Sequence, residues 1–196
     1  MYKKIAISNR NIFFSYHKGS SLSDFVNHLA SVCDNADVLI LREKDLPLSL
    51  YRELASDLIS CCKEKKSEII LHSYIECCRM LNHKKLHLPM PIFKENLTLL
   101  GDFETVGVSV HSAEEAIFAQ NHNASYVIYS HIFPTDCKKG LPAKGLEALE
   151  NVCKSVNIPV YALGGITDAN ESSVIAAGAM GACRMAYYNK QRFILR

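Results

Sequence analysis

The segment Tyr126–Gly145, YVIYSHIFPTDCKKGLPAKG, decides how the rest of the chain is read. A run of β-branched and aromatic residues ends in a histidine, and a basic, glycine-punctuated stretch follows before the next helical pattern begins. That is a buried strand emptying into a functional loop. In parallel α/β architectures the carboxyl ends of strands carry the reacting groups, which puts His131 where chemistry is done. Imidazole titrates near neutrality, so it can take up a proton and return it. A histidine there can equally cap the strand through hydrogen bonds, and position alone leaves both readings open.

The same alternation extends on both sides. Upstream, Thr105–Val110 (TVGVSV) is a strand ending at His111-Ser112. Ser112 followed three residues later by Glu115 makes a capping box, which opens a helix over Ala113–Asn121 with Ala116, Ile117, Phe118 and Ala119 as its packing residues. Downstream come a helix over Leu146–Val156 and a strand over Ile158–Leu163 that runs into Gly164-Gly165. Asp168 or Asn170 caps the next helix, Gly178 stops it after Ala177, and Ala182–Met185 makes an eighth short strand.

The first half follows the same pattern. Lys4–Ser8 is a strand, and a polar loop from Asn9 to Ser21 leads to a helix capped at Ser21 or Ser23. Asp24, Phe25, Val26, Leu29, Val32 and Cys33 give that helix its charge-first, apolar-stripe order. Asp37–Leu41 (DVLIL) is a continuous apolar strand, followed by a helix from Leu48 to about Lys65 with Leu50, Leu54, Leu58 and Ile59 on its buried side. Glu68–His72 is the third strand, Tyr74–Leu81 a short helix, and Lys85–Leu88 a fourth strand stopped by Pro89 and Pro91. Phe93–Leu100 reads as loop with at most a helical turn. Eight alternations of strand and helix predict a single α/β domain over residues 1–196, a (β/α)8 TIM barrel with a truncated last helix. That last helix is a stub around Tyr188–Leu195, and the thin outer wall it leaves is a candidate dimer contact.

Composition limits the partners. A chain of 196 residues with 48% hydrophobic content can bury a sizeable core. The net charge of +2, from 22 basic and 20 acidic side chains, gives no signature of nucleic-acid or anionic-membrane binding. A small molecule or a second copy of the chain is the expected partner. The eight cysteines contain no C-x-x-C pair, and most fall in helical patterns where a thiol packs as a small hydrophobe. With no signal peptide and no apolar run near 18 residues, a reducing cytoplasm and free thiols are expected.

On a barrel, the strand-end residues converge on one mouth. Arg42 and Lys44 follow the second strand, on one face by the two-residue period, and can hold a phosphate or carboxylate or form a solvated charge cluster. His72, His87, Ser109 and His111 follow from strands three to five, and His131 with Lys138 and Lys139 from strand six. Gly164-Gly165 satisfies the need for close backbone approach in the usual barrel phosphate cradle, although a tight turn alone would also need glycine. After strand eight stand Ala186 and Tyr187, with no glycine. Four strand-end histidines raise a metal site, against which stands the absence of a neighbouring carboxylate or an H-x-H pair. Cys137, flanked by lysines, is a possible nucleophile or a loop thiol without a role.

GVSVHSAEEA (Gly107–Ala116), HIFPTDCKKG (His131–Gly140) and PVYALGGIT (Pro159–Thr167) together resemble the thiamine phosphate synthase superfamily, and H-x-F-x-T-D-C-K-K-G is most similar to its TenI branch. Synthases of this superfamily join a pyrimidine pyrophosphate to a thiazole phosphate and hold magnesium with acidic and amide ligands. At the corresponding positions this chain has Ile40, His72-Ser73 and Pro89-Met90, so the resemblance implies a lost magnesium site. The TenI branch is similar to thiazole tautomerases, which aromatise a carboxythiazole phosphate without metal or redox cofactor, using the histidine found here as His131. By resemblance, Arg42, Lys44 and Lys138 would meet the anionic ends of the substrate. Gly164, Gly165 and the amides near Ala186 and Tyr187 would hold its phosphate, with Ser109 and His111 lining the site; His111 is also a second candidate base, although the recurrence of its motif across the superfamily argues for a structural or binding role. The family's serine and glycine in the strand-eight loop are Ala186 and Tyr187 here. The expectation is a cofactor-free, metal-free isomerase with a thiazole phosphate as partner. A non-catalytic ligand-binding or regulatory relative, or a synthase, are the alternatives.

Overall fold

The computed structural model describes residues 2–135, 138 and 140–191. Eight parallel strands follow one another in sheet order, β1 to β8, and the sheet closes into the barrel that the alternation predicts. The chain divides into two compact units, one of residues 1–3 and 87–183 and the other of 4–86 and 184–196. Among the described residues no helix is long and apolar enough to cross a membrane.

The unit of residues 4–86 and 184–196 holds β1 (Lys3–Ile7), β2 (Val38–Leu41) and β3 (Glu68–His72). β2 is buried along its whole length, with Val38 opposite Glu68 and Leu41 opposite Leu71, which is why DVLIL shows no alternation. The expected polar loop after β1 contains a helix, α1 (Arg10–Tyr16), because Asn9 caps it by accepting a hydrogen bond from the Ile12 amide at 3.0 Å. α2 (Leu22–Val32) begins at Ser21, where the hydroxyl and the Asp24 carboxylate satisfy each other's backbone amides.

α3 (Leu48–Cys61) is shorter than expected and turned relative to the expected face. Its buried residues are Tyr51, Leu54, Ala55 and Leu58, an i, i+3, i+4, i+7 stripe. Leu50 falls outside that stripe and is 44% exposed. Tyr51 is fully buried and its hydroxyl joins two strand ends, donating to the Leu41 carbonyl at 2.7 Å and accepting from the His72 amide at 2.9 Å. α4 (Ile75–Met80) completes this part, and α9 (Ala186–Lys190) begins earlier than the expected stub; residues 192–196 lie outside the described residues.

The unit of residues 1–3 and 87–183 is built on β5 (Thr105–Val110), β6 (Tyr126–Ser130), β7 (Val160–Leu163) and β8 (Gly181–Arg184), with β4 (Lys85–Pro89) at its start. Gly107 is opposite Tyr126 in the register, and a Cβ on it would lie 2.0 Å from that tyrosine's Cζ, so the ring occupies the space glycine leaves. β4 includes Pro89, and Pro91 opens a helix, α5 (Met90–Glu95), where a missing amide hydrogen is tolerated. A 3-10 turn over Leu97–Leu99 follows. α6 (Ala113–Asn121) buries Ala116 and Ala119 while Ile117 is 39% exposed, since four consecutive residues cannot share one helical face. α7 (Gly145–Ser155) and α8 (Glu171–Ala176) complete the unit.

Candidate active site at the end of the sixth strand

All five residues of β6 are buried, and the chain leaves the strand through a cis Ser130–His131 peptide. His131 is 4% exposed, and among the described residues no group hydrogen bonds to its Nε2. The loop that carries it is held by backbone. The Ile132 amide donates to the Leu163 carbonyl and the Phe133 amide to Gly164, each at 3.0 Å, while the His131 carbonyl accepts from the Lys144 amide at 2.9 Å. A buried imidazole nitrogen without a partner is costly, which sets His131 apart from the hydrogen-bonded His87.

Gly164 and Gly165 lie against this loop with φ of +110° and +65°. A Cβ on Gly164 would sit 2.4 Å from the His131 Cβ, and one on Gly165 2.5 Å from the Pro134 carbonyl oxygen. The glycine pair is therefore required by the packing of the His131 loop as well as by the left-handed turn. Asn170, expected as a helix cap, makes no cap bond into α8. It braces this turn, accepting from the Thr167 amide at 2.8 Å and donating to the Gly165 carbonyl at 3.0 Å.

Two strand-five candidates sit in the same unit. His111 is exposed, and its Nδ1 lies 3.1 Å from the Ser130 carbonyl oxygen. Ser109 is half-buried, with its hydroxyl 2.8 Å from Nε2 of His87. His87 is 2% exposed and its Nδ1 meets the Tyr126 hydroxyl at 3.1 Å, so this histidine is an interior link and not a group at the mouth. Lys138 is half-buried and its amide donates to the Thr135 carbonyl at 3.1 Å. Cys137 and Lys139 lie outside the described residues.

The other unit carries the remaining candidates. β2 ends at Leu41, and the chain turns, with the Leu46 amide donating to the Glu43 carbonyl at 3.1 Å. Strand alternation therefore does not place Arg42 and Lys44: Arg42 is half-buried with its amide donating to the Ser8 hydroxyl at 2.8 Å, while Lys44 is exposed. The residue between them was missed from sequence. Glu43 is 2% exposed and accepts from the Ser8 hydroxyl at 2.6 Å and from the Arg10 amide and guanidinium. Burial pushes its carboxyl up despite those donors, and Arg10 holds Asp45 down at about 2.

Ala186 and Tyr187 form the first turn of α9, a five-residue helix. Its first amides have no intrahelical partners. Tyr187 is 38% exposed with the Arg184 guanidinium 5.2 Å from its ring centre. Asn189, another residue missed from sequence, is 1% exposed and anchors α9, accepting from the Asn9 amide at 3.0 Å and donating to the carbonyls of Ile7 and Met185.

The residues at the positions implied for magnesium do not fit that ion. After β3 stand His72 and Ser73, whose Nδ1 and hydroxyl lie 2.7 Å apart; after β4 comes Met90, the first residue of α5. Neither strand end offers a carboxylate, whereas Mg²⁺ requires hard oxygen ligands. Glu43 and Asp45, the acids after β2, are both engaged by Arg10. Among the described residues no three histidine, cysteine, aspartate or glutamate side chains gather as a metal cage would require.

The class these observations define is a (β/α)8 barrel with a buried imidazole at the carboxyl end of its sixth strand. Residues 14–187 match the thiamine monophosphate synthase (TMP-TENI) family model, and the chain belongs to that family. It is 35% identical to the thiamine-phosphate synthase of Clostridium acetobutylicum over 144 residues, 72% of this chain and 68% of that one. It is 31% identical to the thiamine-phosphate synthase of a Roseiflexus species over 164 residues, 82% and 69% of the two chains. The fold is similar to that of thiamine phosphate pyrophosphorylase from Pyrococcus furiosus, with a TM-score of 0.76 at 22% identity over 97% of this chain and 89% of that one.

Proposed function

We propose that the chain is a thiazole tautomerase, an isomerase that aromatises a carboxythiazole phosphate by moving one proton through His131. The observation that carries this reading is the buried Nε2 of His131, which has no protein partner among the described residues. The reaction needs one group that removes the proton from the ring carbon bearing the carboxylate and returns it to the exocyclic carbon. An imidazole can do both, and no atoms or electrons are exchanged with any other reactant. Within its loop His131 is backed by the glycine turn, and the carbonyls of Leu163 and Gly164 hold the two residues that follow it.

We assign Arg42, Lys44 and Lys138 to the anionic groups of the substrate, Ser109 to the site lining, and Gly164, Gly165 and the amides of Ala186 and Tyr187 to its phosphate. A second reading, thiamine-phosphate synthase, is favoured by the names of the relatives at 35% and 31% identity. The donor set after β3 and β4 weighs against it. The two are separated by supplying the purified protein with either the non-aromatic tautomer in the absence of metal, or the pyrimidine pyrophosphate, thiazole phosphate and magnesium. Formation of the aromatic chromophore in the first mixture supports the tautomerase. Condensation in the second, with none in the first, overturns it, as does saturable binding of the tautomer without turnover in either.

A further inference from the structure

A proton shuttle is only as good as the placement of its ring, and His131 hangs from a peptide whose carbonyl is held by the side chain that follows the neighbouring strand. We propose that His111 is a positioning residue for His131, acting through the Ser130 carbonyl. This inference rests on His131 as the proton-transferring group.

The Ser112 hydroxyl accepts from the Glu115 amide at 3.2 Å, but the Glu115 carboxylate does not return the bond to Ser112. It reaches one residue further and accepts from the His111 amide at 2.7 Å. The backbone of His111 is thereby strapped to the first turn of α6, and its ring is directed at β6.

There Nδ1 meets the Ser130 carbonyl oxygen at 3.1 Å, with the Ser130 hydroxyl at 3.5 Å. A carbonyl oxygen can only accept, so the proton of the neutral ring is on Nδ1 and its lone pair on Nε2. The Ser130 carbonyl carbon is bonded to the His131 nitrogen, so this hydrogen bond grips the peptide plane from which the His131 side chain projects. The next carbonyl, that of His131, is held by the Lys144 amide at 2.9 Å, and Ile132 by the Leu163 carbonyl at 3.0 Å. Backbone supplies those later grips, whereas the one before His131 comes from a replaceable side chain. What the contact requires of residue 111 is a donor at the Nδ1 position; exchange of that proton is not required.

That requirement sets the test. In His111→Asn the amide nitrogen hangs from Cγ as Nδ1 does, so the donor is kept and the imidazole is lost; His111→Leu removes both. The side chain is exposed, so neither substitution opens the core. Turnover of the tautomer is measured for both variants, together with the ring resonances of His131 in ligand-free, histidine-labelled protein. The expected result is a kcat for His111→Leu lower by about 10- to 100-fold, with KM within about threefold, the scale of a slightly misplaced reacting group. His111→Asn should recover most of the kcat that His111→Leu loses, and the His131 resonances should move in His111→Leu and return in His111→Asn.

Equal loss of kcat in both variants would make the ring itself the working group, and a rise in KM alone would make it a substrate contact; either overturns the positioning role. So would unchanged kinetics and spectra in His111→Leu. If the unaltered protein shows no turnover, the tautomerase reading fails by itself, and the spectra decide the positioning role independently: displaced in His111→Leu and restored in His111→Asn, or not.

Discussion

Replacing Gly164 with alanine would press directly on the loop that carries His131. The added methyl carbon would lie 2.4 Å from the His131 Cβ and 2.8 Å from its Cα. Since carbon atoms settle at about 3.5 Å or more, the histidine or the turn must yield by about 1 Å. The contacting atoms belong to backbone and Cβ, so no rotamer change relieves the clash. The residue also has φ of +110°, outside the range an L side chain adopts readily. Backbone strain of about 1–3 kcal/mol and overpacking of about 1–3 kcal/mol together predict a loss of about 2–6 kcal/mol in stability. That is a large share of the roughly 5–15 kcal/mol that holds a domain together. In whatever fraction stays folded, a 1 Å displacement of the reacting ring should lower turnover by about 100-fold. Urea unfolding followed by circular dichroism measures the first effect, and tautomer turnover at a urea-free temperature well below the midpoint measures the second. A variant within about 0.5 kcal/mol of the parent, turning over at the same rate, would refute the packing argument.

Tyr51→Phe removes a hydroxyl that serves both the Leu41 carbonyl and the His72 amide, and should cost about 2–4 kcal/mol in urea unfolding, because two buried hydrogen bonds to backbone are lost. A cost below about 0.5 kcal/mol would show that water replaces the hydroxyl there. His28 is buried beside His17 with its Nε2 bonded to the Tyr188 carbonyl, and burial lowers its pKa from the ordinary 6.5. The unfolded chain therefore takes up this proton first, so the stability His28 contributes is present above about pH 6.5 and lost as pH falls through the folded value. His28→Phe should lose about 1–2 kcal/mol at about pH 8, where the Tyr188 carbonyl lacks its donor, and should show a shallower decline than the parent down to about pH 5. Parallel declines would assign the pH dependence to other groups.

Where a local rule was sufficient, the fold was legible in the sequence. β5 and α6 have the boundaries read from TVGVSV and from the Ser112 cap, although Glu115 takes the His111 amide and so does not complete the expected capping box. Ser21 likewise begins α2. The phase of a helix was harder: Leu50 and Ile117 look like core residues in isolation, but each lies one step off the stripe its helix presents. α1 was hidden because its sequence reads as polar at both ends, and one asparagine cap and the inward Phe13 suffice to form it.

Around the candidate site, the placement of His131 just past a strand end and the close packing of the glycine turn were legible, because the apolar run stops at Ser130 and glycine marks close approach. Glu43, Asn189 and His87 were not. Each is a polar residue made interior by partners far away in the chain, Ser8 and Arg10 for Glu43, Asn9 and Ile7 for Asn189, and Ser109 and Tyr126 for His87. Spacing carries no record of such partners. A weak signal existed for Glu43 alone, as an acid between two cations immediately after an unbroken apolar strand.

The most direct measurement of the central claim compares His131→Gln with the unaltered protein on the non-aromatic carboxythiazole phosphate, following the aromatic chromophore without metal while binding is titrated on the same samples. Glutamine keeps polar reach but cannot shuttle a proton at neutral pH. Loss of a general acid–base group predicts a fall in turnover of at least about 100-fold with the binding constant within about threefold. Turnover undiminished in His131→Gln would remove this histidine from the chemistry and contradict the account.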